Sequence, residues 1–176
     1  CFILLAAGKG KRFKSNTLKQ FHILNGKPLI YHSIEKAIKS KIFKEVIVVT
    51  NSKIKKPKDK IIKVIKGGLE RFESSKRALE YIKNKKFKNV YIHDAARPNF
   101  SINLVKKLLK NLKKNKVVVP FVRSNDSVKY KDKKFLFNLK KSKILSTQTP
   151  QAFNLNLINS ITKNNIKIIQ DESTLF

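Results

Sequence analysis

Residues Phe2–Phe13, "FILLAAGKGKRF", join a run of apolar residues to two alanines and then to a glycine loop crowded with lysine and arginine. A short apolar strand that opens into such a loop suggests a phosphate-binding turn at the start of an α/β fold. The spacing excludes the two commonest versions. Gly8 and Gly10 begin G-x-G-x-x-G, but the third glycine position is Phe13, and there is no G-x-x-x-x-G followed by Lys and Ser or Thr, as a P-loop needs.

Outward from that stretch, strands are expected at Phe2–Ala6, Glu45–Thr50, Ile61–Lys66, Val90–His93 and Val117–Val122, all short and apolar. Amphipathic stretches alternate with them. "PLIYHSIEKAIKSK" from Pro28 starts with proline, "ERFESSKRALEYIKN" and "INLVKKLLKNLKKN" repeat its periodicity, and a fourth helix is expected over Asn154–Lys163. The alternation predicts an α/β protein with a mostly parallel, doubly wound sheet. In such sheets ligands bind at the carboxyl ends of the strands, where "AAGKGKR", "KGGLER" and "HDAARP" all fall. A different texture follows in "SNDSVKYKDKKFLFNLKKSKILS". Tyr130, Phe135 and Phe137 alternate about "KDKK", which predicts a protruding β-hairpin arm over about residues 126–146 of a single domain, 1–176.

The composition narrows the function class. Of 176 residues 41% are apolar, enough for one core, and no apolar stretch approaches the roughly 18 residues of a membrane span. Phe2–Ala7 is too short and has the wrong flank for a signal peptide, so a soluble, cytoplasmic protein is expected. The single cysteine, Cys1, excludes an internal disulfide and a cysteine metal cluster. His22, His32 and His93 lack metal-ligand spacing.

The net charge of +30 invites a nucleic-acid reading. Its distribution argues against one, because 36 of the 41 basic residues are lysines spread evenly along the chain with many Asn and Ile, as a genome-wide compositional bias would leave them. Arginine is then the informative cation. Arg12, Arg71 and Arg97 lie in or beside turns after strands, where a guanidinium fork suits phosphate or carboxylate oxygens; Arg77 and Arg123 are the other two.

"LLAAGKGKRF", "LKQF", "GGLERFESS", "HDAARP", "VRSNDSVK" and "QTPQAF" occur in the order and approximate spacing of the 2-C-methyl-D-erythritol 4-phosphate cytidylyltransferases, also called 4-diphosphocytidyl-2-C-methyl-D-erythritol synthases, of non-mevalonate isoprenoid synthesis. The chain resembles that family from its first residues to its last. The resemblance implies a Rossmann-like nucleotidyltransferase fold, CTP and a polyol phosphate as substrates, Mg²⁺, pyrophosphate release, and a homodimer joined through the arm, with neither nucleic acid nor membrane as partner.

Residue by residue, the resemblance makes Arg12 and Lys19 the catalytic pair. It assigns Ala6, Ala7, Gly8, Gly10, Gly68, Leu69, Ser74, Asp94 and Ala95 to the nucleotide, and Asp94, Arg97, Ser127, Lys141 and Thr149 to the polyol phosphate. Asp94 is also the candidate Mg²⁺ ligand. Asp171 and Glu172 resemble an acidic pair close to the site. The chain departs from the family at Leu69, where Asp is common, at Ser127, where Thr is common, and at Lys141, where Arg is common. It also ends before a family strand that carries a lysine and an aspartate, so it reads as an incomplete reading frame or part of a longer, bifunctional polypeptide.

The chemistry suits these residue types without the family. A phosphate monoester is already mostly dianionic at neutral pH, so its attack on a nucleotide α-phosphorus requires no general base. It requires cations around a crowded anionic transition state. Simpler uses exist for some of the same residues: a helix-start ion pair between Arg71 and Glu70, and a purely structural pair between Asp94 and Arg97. A ribitol-5-phosphate cytidylyltransferase is the nearest alternative enzyme, and a basic nucleic-acid-binding domain is the alternative from another class.

Overall fold

The computed structural model describes residues 1–10, 13, 15, 17–55, 57–162 and 172–176. Its centre is a six-stranded sheet built from β1 (Phe2–Leu5), β4 (Val46–Val49), β5 (Ile62–Ile65), β6 (Asn89–Asp94), β7 (Val117–Val118) and β12 (Gln151–Asn154), in the order β5-β4-β1-β6-β12-β7. The pairings of β5 with β4, β4 with β1, and β1 with β6 are parallel, whereas β12 runs antiparallel to both β6 and β7. A small hairpin of β2 (Ile23–Leu24) and β3 (Lys27–Pro28) precedes the first helix.

Among the described residues four helices cover the sheet: α1 (Leu29–Lys39), α2 (Arg71–Ile82), α3 (Ile102–Leu112) and α4 (Leu155–Thr162). Alternation along β1 shows how both faces are filled. Phe2 and Leu4 pack with Ile30 and Ile34 of α1 and Val105 and Leu108 of α3, while Ile3 and Leu5 pack with Ala78, Leu79 and Ile82 of α2 and Ile158 of α4. A strand buried on both faces has no polar position, which is why Phe2–Leu5 is unbroken by one. Each such side chain contributes roughly 1.5–3 kcal/mol relative to exposure.

The helix starts have distinct causes. Glu70 and Glu73 form a reciprocal capping box at the head of α2, and the Ser101 hydroxyl accepts from the Leu104 N–H at the head of α3, 3.0 Å away.

Two expectations need correction. The single strand over Val117–Val122 is divided: Val117–Val118 stays in the sheet beside β12, while Phe121–Arg123, β8, leaves it to pair with β11 (Leu145–Thr147). Pro120 stands at the break, and a residue without an N–H cannot continue a ladder. The second is an omission. Residues 151–154 form β12 beside β6, yet "QAFN" has polar ends, no β-branched residue and a proline before it.

β9 (Lys129–Asp132) and β10 (Phe135–Asn138) make the outer tier of the arm, with Phe137 opposite Tyr130 and Phe135 opposite Asp132. The arm therefore begins at Phe121 and ends at Thr147 in two antiparallel tiers. Tyr130, Phe135 and Phe137 form an aromatic ladder on one hairpin face, with ring centroids 6.3 and 6.4 Å apart. All three side chains are exposed.

Candidate active site

β1 connects to a neighbour on one side and pairs with β6 on the other, so the carboxyl ends of these two strands form the topological switch point of the sheet. Three loops close on this point. The first leaves β1 through Ala6, Ala7 and Gly8, and Gln20 fixes its shape by donating from Nε2 to the Ala6 and Gly8 carbonyls at 2.8 and 3.2 Å. Gly10 has φ +61°, a left-handed conformation that favours glycine. Lys19 opens a 3₁₀ turn, Lys19–Phe21, with an exposed side chain whose Nζ lies 5.9 Å from the centre of the Phe13 ring. Arg12, the other half of the expected catalytic pair, lies outside the described residues.

The second loop follows β5. Gly67 touches the first loop so closely that a Cβ there would stand 2.3 Å from the Ala7 Cβ, and only glycine fits without displacement. This loop is tied from behind: the Ser74 hydroxyl accepts from the Gly68 N–H at 3.0 Å and donates to the Glu70 carbonyl, Asn51 donates to the Gly68 carbonyl, and Arg77 to that of Gly67. Ser74 is buried and shapes the turn, whereas Leu69 exposes its side chain and gives its N–H to the Glu73 carboxylate.

The third loop follows β6. Asp94 stands at the strand end with one carboxylate oxygen 3.1 Å from Arg71 Nε and the other 3.2 Å from Arg97 Nε. The alternative pairing of Arg71 with Glu70 is not among the ion pairs of the described residues. Arg71 instead reaches across to Asp94 and, through Nη1, to both oxygens of the buried Glu172 at 2.9 Å. Burial opposes the guanidinium charge, but the Glu172 and Asp94 carboxylates outweigh it and hold Arg71 above its ordinary pKa. Glu70 serves as the helix cap, for which its side chain must turn toward its own backbone.

Ala95 is buried, with its N–H on the Leu5 carbonyl. His93 is fully buried and lies against Phe2 and Phe100. Its ring bonds the Arg97 carbonyl through Nε2 at 2.9 Å and the Thr149 hydroxyl through Nδ1 at 2.8 Å. Burial pushes its pKa down to about 4, so the ring is neutral at physiological pH.

The body thus brings together Ala6, Ala7, Gly8, Gly10, Gly68, Leu69, Ser74, Asp94, Ala95, Arg97 and Thr149. Ser127 and Lys141 lie exposed on the arm, and no hydrogen bond or ion pair among the described residues joins either to this cluster. Asp171 lies outside the described residues.

The switch point of this mostly parallel sheet is lined by these motif positions, and the family model for 2-C-methyl-D-erythritol 4-phosphate cytidylyltransferase matches residues 1–175. The chain belongs to that family. It is 46% identical over its whole length to the bifunctional enzyme IspD/IspF of Pelagibacter ubique, of which it spans 48%, and 39% identical over 90% of its length to the 2-C-methyl-D-erythritol 4-phosphate cytidylyltransferase of Caldicellulosiruptor bescii, of which it spans 74%. Among solved structures, the 4-diphosphocytidyl-2C-methyl-D-erythritol synthase of Anaerococcus prevotii superposes with a TM-score of 0.83 at 26% identity, covering 99% of this chain and 81% of that one. The bifunctional IspDF of Campylobacter jejuni gives 0.82 at 29%, covering 99% and 45%. The chain therefore spans about half the length of its bifunctional relatives.

Within this cytidylyltransferase-family site, sequence reasoning missed Gln20, Asn51 and His93. Gln20 carried a usable signal: it is a polar residue between Lys19 and Phe21 that has no reason to be buried unless a backbone needs it. Asn51 and His93 gave none, because their partners are set by the meeting of separate loops.

Proposed function

We propose that this chain transfers CMP from CTP to 2-C-methyl-D-erythritol 4-phosphate, releasing pyrophosphate and forming 4-diphosphocytidyl-2-C-methyl-D-erythritol. The carrying observation is the closure of three strand-end loops at one switch point, with Gly67 against Ala7 and Arg71 on Asp94. The first loop offers backbone N–H groups to the triphosphate, and the second bounds the base. Lys19, exposed and unpaired with any carboxylate among the described residues, supplies charge to the α-phosphorus as oxygens gather around it. Arg12 shares that role by its place in the family motif. The substrate's phosphate dianion is the nucleophile, so no side chain need take a proton.

Mg²⁺ neutralises phosphate charge when bound. The described residues do not form a cation cage: both oxygens of Asp94 face guanidinium groups, both oxygens of Glu172 face Arg71, and no cluster of three or more potential ligands exists among them. We therefore assign Mg²⁺ to the triphosphate itself rather than to an Asp94 site.

Two further parts of the proposal concern setting. The exposed aromatic ladder of the arm supports a homodimer in which the arm lies on a second copy and brings Ser127 and Lys141 to that copy's site. No helix of the described residues is long and apolar enough to cross a membrane, and we place the reaction in the cytoplasm, where CTP is made.

Pyrophosphate release, measured in the native polypeptide with CTP and either 2-C-methyl-D-erythritol 4-phosphate or ribitol 5-phosphate, tests the reading. Turnover confined to the first substrate is expected, and turnover confined to the second overturns it.

A further inference from the structure

The hydrogen bonds around His93 have a direction, and that direction reaches the substrate. The Arg97 carbonyl can only accept, so His93 Nε2 carries the ring proton in the 2.9 Å bond between them. The ring is fully buried against Phe2 and Phe100 and bonds a carbonyl and a hydroxyl rather than a carboxylate, an environment for the neutral form, and its Nδ1 is then bare. It follows that Thr149 is the donor in the 2.8 Å contact with Nδ1. A threonine hydroxyl has one proton and two lone pairs. The proton is committed to His93, and one lone pair faces the Asp94 N–H at 3.5 Å. A single lone pair remains.

Thr149 and Arg97 line a cleft of about 540 Å³ together with Gln148, Pro98, Phe100 and Leu104. The volume suits a small polyol, and the two walls differ in polarity. Arg97 presents donors only, whereas Thr149 presents an acceptor only. A phosphate oxygen, itself an acceptor, has nothing to gain from Thr149.

We infer that His93 is a positioning residue that turns the Thr149 proton away from the cleft, so that Thr149 selects an alcohol hydroxyl of the polyol and excludes the phosphate from its own wall. The inference rests on the proposed function for the identity of the substrate. It adds the substrate's orientation: the hydroxyl-bearing end meets Thr149, and the phosphate lies away from it. It also gives a reason for a fully buried histidine where an apolar residue would pack among Phe2 and Phe100 with less desolvation.

The test has an arm that needs no turnover. Long-range ¹H–¹⁵N correlation in the native polypeptide at neutral pH should show His93 as the Nε2–H tautomer, and the Nδ1–H tautomer overturns the inference. In kinetics, His93→Phe removes the acceptor and should raise KM for 2-C-methyl-D-erythritol 4-phosphate on the order of tenfold, leaving KM for CTP within about twofold. His93→Asn keeps an oxygen near the Nδ1 position and should recover most of that loss. Adding Thr149→Val to His93→Phe should cost little more. Analogues of the polyol phosphate that each lack one hydroxyl should include one that binds wild type poorly and Thr149→Val as well as the parent compound does. An equal rise in both KM values, or equal loss in His93→Phe and His93→Asn, overturns the inference. Failure of the proposed function shows separately, as wild type that does not turn over this substrate.

Discussion

The sheet end and the arm use polar and apolar residues in opposite ways. At the sheet end nearly every polar group has an internal partner: Asp94 is held by two arginines, Glu172 by Arg71, Ser74 by its own loop and His93 by two others. In the arm, large apolar side chains such as Phe135 and Leu136 are 68% and 62% exposed, and the charged residues beside them face solvent. A surface whose polar groups are already bonded is rigid and made for a small ligand. A surface of exposed aromatics leaves apolar area without a partner among the described residues. The body thus holds the strand-end cluster, whereas Ser127 and Lys141 stand on an arm whose outer strands, among the described residues, pair only with each other.

The sharpest break between the two regions is thermodynamic. Ile92→Ala, in the fully buried centre of β6, should lower unfolding free energy by about 2–5 kcal/mol, whereas Phe135→Ser on the arm should move monomer stability by no more than about 0.5 kcal/mol. Urea titrations at a concentration that holds the chain monomeric decide this. A large loss for Phe135→Ser would mean that the arm packs on its own body.

Catalysis should divide the same way. Lys19→Ala removes a preorganised charge donor and should lower kcat on the order of 10²–10³-fold, about 2.7–4 kcal/mol, with little change in the KM for CTP. Unchanged kcat would return Lys19 to the solvated lysine population. The body also carries a pH signature that the arm lacks. The His93 pKa, lowered by burial from 6.5 to about 4, means that between those values the unfolded chain takes up a proton that the folded chain refuses. Stability contributed by the neutral ring is present above pH 6.5 and is lost as pH falls toward 4, by about 3 kcal/mol in all. The urea midpoint of wild type should fall more steeply than that of His93→Phe between pH 6.5 and 4, and parallel curves would contradict the assignment.

The smallest effect sharpens the comparison most. If the arm serves a second copy, a mixture of Lys19→Ala and Lys141→Ala subunits, free to exchange, forms hybrids in half of its dimers, each with one intact site. Activity should recover to roughly a quarter of wild type. Activity no higher than the mean of the two parents would assign Lys141 to its own chain.

The boundary between what was legible in the sequence and what was not follows the same division. β1, β4 and β6 could be read because strands covered on both faces admit almost only apolar residues, β5 because β-branched residues dominate it, and the three loops because a glycine or an arginine is conspicuous in a lysine-rich chain. β12 could not, since "QAFN" owes its strand conformation to β6 and β7 on either side. Nor could the partner of Arg71. Its neighbour Glu70 is the local choice, and the actual partners lie 23 and 101 residues away, where only the fold brings them. Asn51 and His93 were hidden for the same reason: each bonds a carbonyl or hydroxyl whose position depends on another segment.

The span between Arg71 and Glu172 also imposes an order in time. On a ribosome adding about 5–20 residues per second, the 101 residues between them take roughly 5–20 s to make, so the guanidinium emerges long before its second carboxylate. During that interval Asp94 is its only anionic partner of the two, and the head of α2 lacks its tie to Glu172. Nascent chains arrested before residue 172 should therefore show weaker hydrogen-exchange protection at the start of α2 than released chains. Equal protection in both would mean that the earlier segments close the turn by themselves, and that Glu172 adds a charge to a clasp already shut.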